Sequence, residues 1–232
     1  MPATPLPPSG ALPEDPKTCD ASGMVEIHRL FRRGFGEAPE LIRRVRAGDT
    51  AHAAVVSTQL ETLSLGLHAH HEGEDERLWP ALDERAPSCA AHVERMKAQH
   101  AELLVHLSAM DRALPAWRAS ASAADAAPVL AALDGVNAAI AVHLPDEETN
   151  IVPVMEHTIT EAEVEWFSEH GRRAIPRGQM WQQLGEILAA QPDGGAEWQH
   201  EHLPAPFRLV WRMVGKRSYE QNRAELVGDA RP

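Results

Sequence analysis

Residues 68–82 read HAHHEGEDERLWPAL and residues 141–155 read AVHLPDEETNIVPVM. In the first stretch His70 is followed by Glu74 and Pro80. In the second, His143, Glu147 and Pro153 take the same spacing, four residues and then six. Working outward, His28 lies 42 residues before His70, and His100 lies 43 before His143. Met24 and Met96 each stand four residues ahead of those histidines. The chain therefore holds two copies of a unit 72–73 residues long, a sign of an internally repeated architecture.

The spacing has a structural meaning. Residues i and i+4 of an α-helix lie one above the other on one face. Val56, Leu60, Leu63, Leu67, His70 and Glu74 step by four and three, and so do Val129, Leu133, Val136, Ile140, His143 and Glu147. Met96, His100, Leu103, Leu107, Met110 and Leu114 form a third such seam, and Met24, His28, Phe31 and Phe35 a shorter fourth. These are core-facing stripes of helices. The six ionisable residues sit on the stripes that should be buried.

That placement points to chemistry. A buried carboxylate or imidazole needs a partner or a neutral state. A lone histidine on an apolar stripe is most often a hydrogen-bonded core residue. Six such groups in matched register favour a metal centre over a polar network held by mutual hydrogen bonds. The candidate ligands are His28, His70, Glu74, His100, His143 and Glu147. Two equivalent halves suit two metal ions better than one.

Composition bounds the rest. The 232 residues carry 34 acids against 22 bases, a net charge of −12, which argues against a nucleic-acid binder. The two cysteines, Cys19 and Cys89, form no Cys-x-x-Cys, so a reducing, cytoplasmic setting is expected. No apolar run approaches the ~20 residues of a membrane span. The opening MPATPLPPSGALPEDP is no signal peptide and reads as a disordered, proline-rich lead-in over residues 1–20.

Along the chain the pattern predicts an all-α fold, an antiparallel up-down four-helix bundle over residues 21–157. A first helix runs from about Ser22 to Gly34, broken or kinked by Gly34, Gly36 and Pro39. A second is capped by Asp49 or Thr50 and runs to about Arg85, with Pro80 a kink or exit. A third, capped by Ser88, stops at Pro115. The loop AWRASASAADAAP follows, and a fourth runs from about Ala127 to Met155. Pro145 lies inside that helix, and a distortion beside His143 and Glu147 is expected. Residues 158–232 read as a helical extension packed on the bundle.

The order His…His-x-x-x-Glu…His…His-x-x-x-Glu over residues 24–157, with the textures IHRLFRR and HLPDEE, resembles the hemerythrin-like HHE cation-binding domain. The tail, in EHGRRAIP and LPAPFRLVWRMVGKRSYEQNR, resembles the helical extension of actinobacterial members. The resemblance implies two non-haem irons bridged by carboxylates, with the six residues named above on the ligand positions. Manganese or zinc would accept the same donors. Oxygen-carrying relatives have a further histidine where Met96 stands, and an aspartate one residue beyond the place of Glu147. The resemblance then implies His28 and His70 toward one iron, His100 and His143 toward the other, each with an exchangeable position.

Other residues have plainer readings. His68, His71 and His92 lie off the seams; His71, beside His70, is the best candidate for supporting a ligand from outside. Met24 and Met96 read as core fillers. Glu72, Asp75 and Glu148 read as solvated helix face, and Cys89 as a buried, inert thiol. A ferritin-like di-iron site would need paired Glu-x-x-His elements, and only Glu197 and His200 offer that spacing. The tail holds Trp166, Trp181, Trp198 and Trp211, and a basic amphipathic run from Phe207 to Arg217. Packing on the bundle is expected there, against a lid, a dimer interface or a membrane-surface contact.

Two function classes follow. One is a protein that binds or decomposes oxygen, hydrogen peroxide or nitric oxide, for redox protection or sensing. The other is a di-iron enzyme that activates oxygen toward an organic substrate, in specialised metabolism. Iron storage without turnover is a third. The expected partners are these small molecules, with no nucleic acid, and the chain is expected to be a monomer or homodimer.

Overall fold

The computed structural model describes residues 16–229, and among them there is no strand. Four long helices come first: α1 (Ser22–Arg44), α2 (Thr50–Gly73), α4 (Ala90–Ser120) and α5 (Ala123–Asn150). Short α3 (Trp79–Arg85) and α6 (Val152–Thr158) follow α2 and α5. The extension holds α7 (Glu161–Ala174), α8 (Met180–Ala190), α9 (Ala196–His202), α10 (Ala205–Val210) and α11 (Lys216–Val227). α1 packs on α2 and α5, and α4 packs on the same two, closing a ring of four.

Local chemistry starts α1 and α2 where expected, but Ser88 caps nothing: it lies in a tight turn, Pro87–Cys89, and α4 starts at Ala90 behind Cys89 without a side-chain cap, while α5 starts at Ala123, ahead of the expected Ala127. Asp49 caps α2, accepting from the His52 amide, and Ser122 caps α5, accepting from the Asp125 amide. α1 is not broken at Gly34, Gly36 and Pro39. Gly34 is there for proximity: a Cβ would come within 2.7 Å of both Leu63 methyls. α4 runs through Pro115 to Ser120, so the expected loop shrinks to Ala121 and Ser122. Ala121 takes the left-handed conformation, φ 48°, that turns the chain. Pro115 and Pro145 lie on exposed faces, where the carbonyl each leaves without a donor is free to meet water. α5 accordingly passes through Pro145 as regular helix.

The distortion falls on the other ligand helix. Residues Glu74–Leu78 form a π-turn, with the Trp79 amide donating to the Glu74 carbonyl. Pro80 explains it: a proline ring clashes with the carbonyl four residues back and brings no amide hydrogen. A single wider turn ahead of it removes the conflict. In the second repeat the chain meets Pro153 differently, ending α5 and breaking at Ile151.

Two apolar clusters divide the bundle. One contains Phe31, Phe35, Leu60, Leu67, Leu103, Leu107, Leu133 and Ile140. The other contains Met24, Leu78, Trp79, Leu82, Met96, Ile151 and Met155. Each candidate histidine lies in sequence between a residue of one cluster and a residue of the other: Met24–His28–Phe31, Leu67–His70–Leu78, Met96–His100–Leu103, Ile140–His143–Ile151. Met24 and Met96 are core fillers as expected, and Cys19 and Cys89 are buried free thiols beside them.

Of the expected lead-in, residues 1–15 lie outside the described residues. Residues 18–20 are held rather than loose: Thr18 donates to the carbonyls of Glu156 and Ile159, and Cys19 is buried against Met155. The extension is tied to α1 and α2. Glu186 is buried and accepts from Arg33 and Arg223. Arg223 also forms a double hydrogen bond with Glu37, and Thr62 donates to Gln179. Among the described residues one stretch, Ala123–Thr158, is long and apolar enough to cross a membrane; its α5 part packs against α4 and α1.

Candidate metal centre

All six candidates meet between the two apolar clusters. His28, Glu74, His100, His143 and Glu147 are at most 5 % exposed, and His70 is largely buried. His28 Nε2 lies 3.1 Å from His70 Nε2 and 3.3 Å from Glu147 Oε2. Glu74 reaches His70 Nε2 at 3.2 Å with one oxygen and His100 Nε2 at 3.4 Å with the other. His143 Nε2 lies 3.6 Å from Glu147 Oε2. Each glutamate therefore touches a histidine of its own repeat and one of the other.

The outward-facing nitrogens of His28, His100 and His143 are occupied. His28 Nδ1 is 2.9 Å from Glu148 Oε1, which Arg32 also holds. His100 Nδ1 is 3.0 Å from Asp75 Oδ1, which the Trp79 indole also holds. His143 Nδ1 is 3.1 Å from Gln99 Oε1. Gln99 donates in turn to Asp146, which also accepts from Nε and Nη2 of Arg95. Carboxylate and amide acceptors keep a proton on Nδ1 and leave Nε2 facing inward. Metal-bound histidines are held this way. Glu148 and Asp75 are therefore not idle solvated surface. The sequence carries a sign of it that the seam pattern passes over: each follows a candidate glutamate by one residue, in both repeats.

At the centre, apart from the His28 Nε2–His70 Nε2 contact, the polar atoms lack hydrogen-bond partners. Both oxygens of Glu74, both of Glu147, and the Nε2 atoms of His71, His100 and His143 are buried and unpartnered. The near approaches to histidine are within 4 Å but not aligned as hydrogen bonds. Leaving one buried polar group unpaired costs about 1–3 kcal/mol, more for a charged one. Such a concentration of orphaned donors is what a metal cluster's ligands look like once its ions are taken away, so the residues fit the group.

Electrostatics agree. Burial lowers the His28 imidazolium, but Glu147 and Glu148 outweigh it and push it up to about 9. His100 is likewise lowered by burial and carried up to about 9 by Asp75 and Glu74. Burial drives His143 down to about 4 and holds His70 and His71 well below the usual imidazole range. Burial and the charge of Glu147 push Glu74 upward. Burial would raise Glu147 too, yet His28 and the other imidazoles hold it low. Without a cation, protons on His28 and His100 balance the carboxylates; metal ions would replace them.

The remaining histidines separate. His92 is outside the centre, against Arg95, and His68 faces Asp111. His71 is in it, with its ring stacked on His100 at 4.0 Å and edge-on to His143 at 5.1 Å. Beside it a cleft of about 620 Å³ opens between α2 and α4, lined by His68, His71, Glu72, Asp75, Trp79, Lys97, His100 and Leu104. Glu197 and His200 lie in α9, in the extension.

The family model described as hemerythrin HHE cation binding domain matches residues 20–155. The chain belongs to that family, and its helical fold and His/Glu centre are those of a cation-binding protein. No curated protein and no solved structure gave a match.

Proposed function

We propose that the chain is a non-haem di-iron protein that binds or reacts with oxygen, hydrogen peroxide or nitric oxide, serving redox protection or sensing. The observation that carries this is the set of unpartnered glutamate oxygens and histidine Nε2 atoms, aimed inward by acceptors on Nδ1. His28, His70, Glu74, His100, His143 and Glu147 would hold two ions, with both glutamates shared. Mixed imidazole and carboxylate donors suit iron, and manganese or zinc would accept them too. Bound iron would supply a redox-active centre open to small diatomic ligands and peroxide. The protein's part is to keep the ligands in the right tautomer, to keep bulk water out between two apolar layers, and to supply the cleft as a path inward.

The reading includes an antiparallel up-down bundle over residues 21–157, supported by the short links 45–49 and 121–122 between ring neighbours. It includes residues 158–229 as an extension packed on that bundle, a cytoplasmic setting, and a monomeric or homodimeric chain. Elemental analysis of protein expressed with ample iron should approach two ions per chain, and its optical spectrum should respond to peroxide and to nitric oxide. A reproducible value near zero would sink the proposal. The cleft favours a second reading, oxygen activation toward an organic substrate, because its volume is that of a small-molecule site. Oxygen uptake by the reduced protein that depends on an added organic compound would select it.

A further inference from the structure

The two repeats match at every candidate ligand, and at the buried position just after the second histidine of each they differ in kind. Residue 71 follows His70 as residue 144 follows His143; the first is histidine and the second is leucine. Both are buried. Leu144 belongs to the apolar core, where nothing more is asked of it. His71 presents an Nε2 that is buried and has no partner, although an apolar side chain serves at the equivalent place. Burying an unpaired imidazole where leucine would do is unfavourable, so the ring needs a bond that pays for it.

The geometry supplies the candidate. One nitrogen each from His71, His100 and His143 converge within 4.8 Å of one another, all three from buried residues. His71 also lies in reach of His70 and Glu74, yet its ring is closer to His100, at 4.0 Å, than to His70, at 5.5 Å. A separate set, His28, His70 and Glu147, converges on the other side. We infer that His71 is a seventh metal ligand, through Nε2, to the ion held by His100 and His143. This rests on the di-metal reading above. The donors then divide unequally: two imidazoles for the His28–His70 ion and three for the other, with Glu74 and Glu147 shared. The exchangeable position belongs on the side poorer in nitrogen, the His28–His70 ion. Met96 then marks no vacancy, because α2 provides the imidazole that the third ligand helix lacks.

The test compares the full chain, loaded with iron, with His71→Leu, His71→Ala and, as control, His68→Ala, whose ring lines the cleft but bonds Asp111. The readouts are iron per chain, iron affinity and Mössbauer spectra. His71→Leu copies the leucine of the second repeat and should fold, its iron-free form melting no lower than wild type. It should lose one of two ions, or bind that ion more than about 100-fold more weakly, beyond the 10–100-fold typical of an outer-shell partner. One quadrupole doublet should change and the other stay. Added imidazole should restore the second ion to His71→Ala, while His68→Ala should keep both. Two ions at wild-type affinity and unchanged spectra in His71→Leu would overturn the inference and leave the di-iron proposal standing. Metal loss that imidazole does not restore would assign His71 to packing and overturn it too. Absence of metal from the wild type would overturn both.

Discussion

Asp75 and Glu148 each sit one residue beyond a candidate ligand, on the wetter side of the helix, and each turns back to hold the imidazole of the other repeat. Their removal should therefore be felt at the centre. Asp75→Ala and Glu148→Ala should weaken metal binding by about 10–100-fold, measured by competition with a chelator, whereas Glu74→Ala or Glu147→Ala should abolish at least one ion outright. The same residues set a pH dependence. His28 and His100 are raised from 6.5 to about 9 in the folded, metal-free protein. Groups raised on folding contribute stability below their unfolded pKa and lose it as pH rises through the folded one. Glu74, also raised, acts in the same sense. His70, His71 and His143 are lowered, so their contribution is already complete above about pH 6.5. Melting temperature of the stripped protein should fall from pH 6.5 to 9, while metal affinity rises over that window as Nε2 protons leave. A stripped protein whose melting point climbed over that range would contradict the assigned charge states. At this scale the sequence discloses the six candidates, because repeat spacing and seam position coincide. It conceals His71, because stepping by three and four places it off the seam.

Helix extents were legible where a cap or an apolar seam decides them and illegible where proline and glycine were given more weight than their surroundings. Asp49 starts α2 as expected. Pro115 and Pro145 stop nothing, because each faces out of the bundle, where the missing hydrogen bond falls at the wet surface. Pro80 does widen the turn before it, where Leu78 and Trp79 are fixed in the core. The two-residue link at Ala121 and Ser122 depends on a cap instead of on loop length. Ser122→Ala removes the acceptor of the Asp125 amide and should lower stability by about 1 kcal/mol, seen in denaturant titration. The metal count should stay the same, since His143 lies far along α5. A loss of metal in that variant would mean that the start of α5 and the ligand register are coupled.

At the scale of the molecule, the centre and the extension are distinct contributions to one structure. Metal bound to the native ligands stabilises the folded chain by mass action. The stripped protein should melt well below the loaded one; coincident curves would contradict a buried centre. The extension is pinned by Glu186 between Arg33 and Arg223. Glu186→Ala should cost about 2–3 kcal/mol, less than the loss of a fully buried pair because both arginines still reach water, and should leave metal stoichiometry alone. The all-helical class was legible from periodicity. The anchoring of the tail was not, since Glu186 and Arg223 come together only through packing of α8, α11 and α1.

Glu147 of the second repeat leans on His28 of the first, and Glu74 of the first on His100 of the second. That crossed arrangement is the signature of an isologous dimer, here carried on one continuous chain. On the proposed di-metal reading neither repeat would complete a metal site alone, so the two would fold together or leave the centre unmade. In a dimer of identical subunits any substitution appears on both sides of the axis. A fused pair has no such obligation. Histidine at 71 against leucine at 144 is a change made on one side only, and it turns a twofold plan into two positions with different numbers of nitrogen donors.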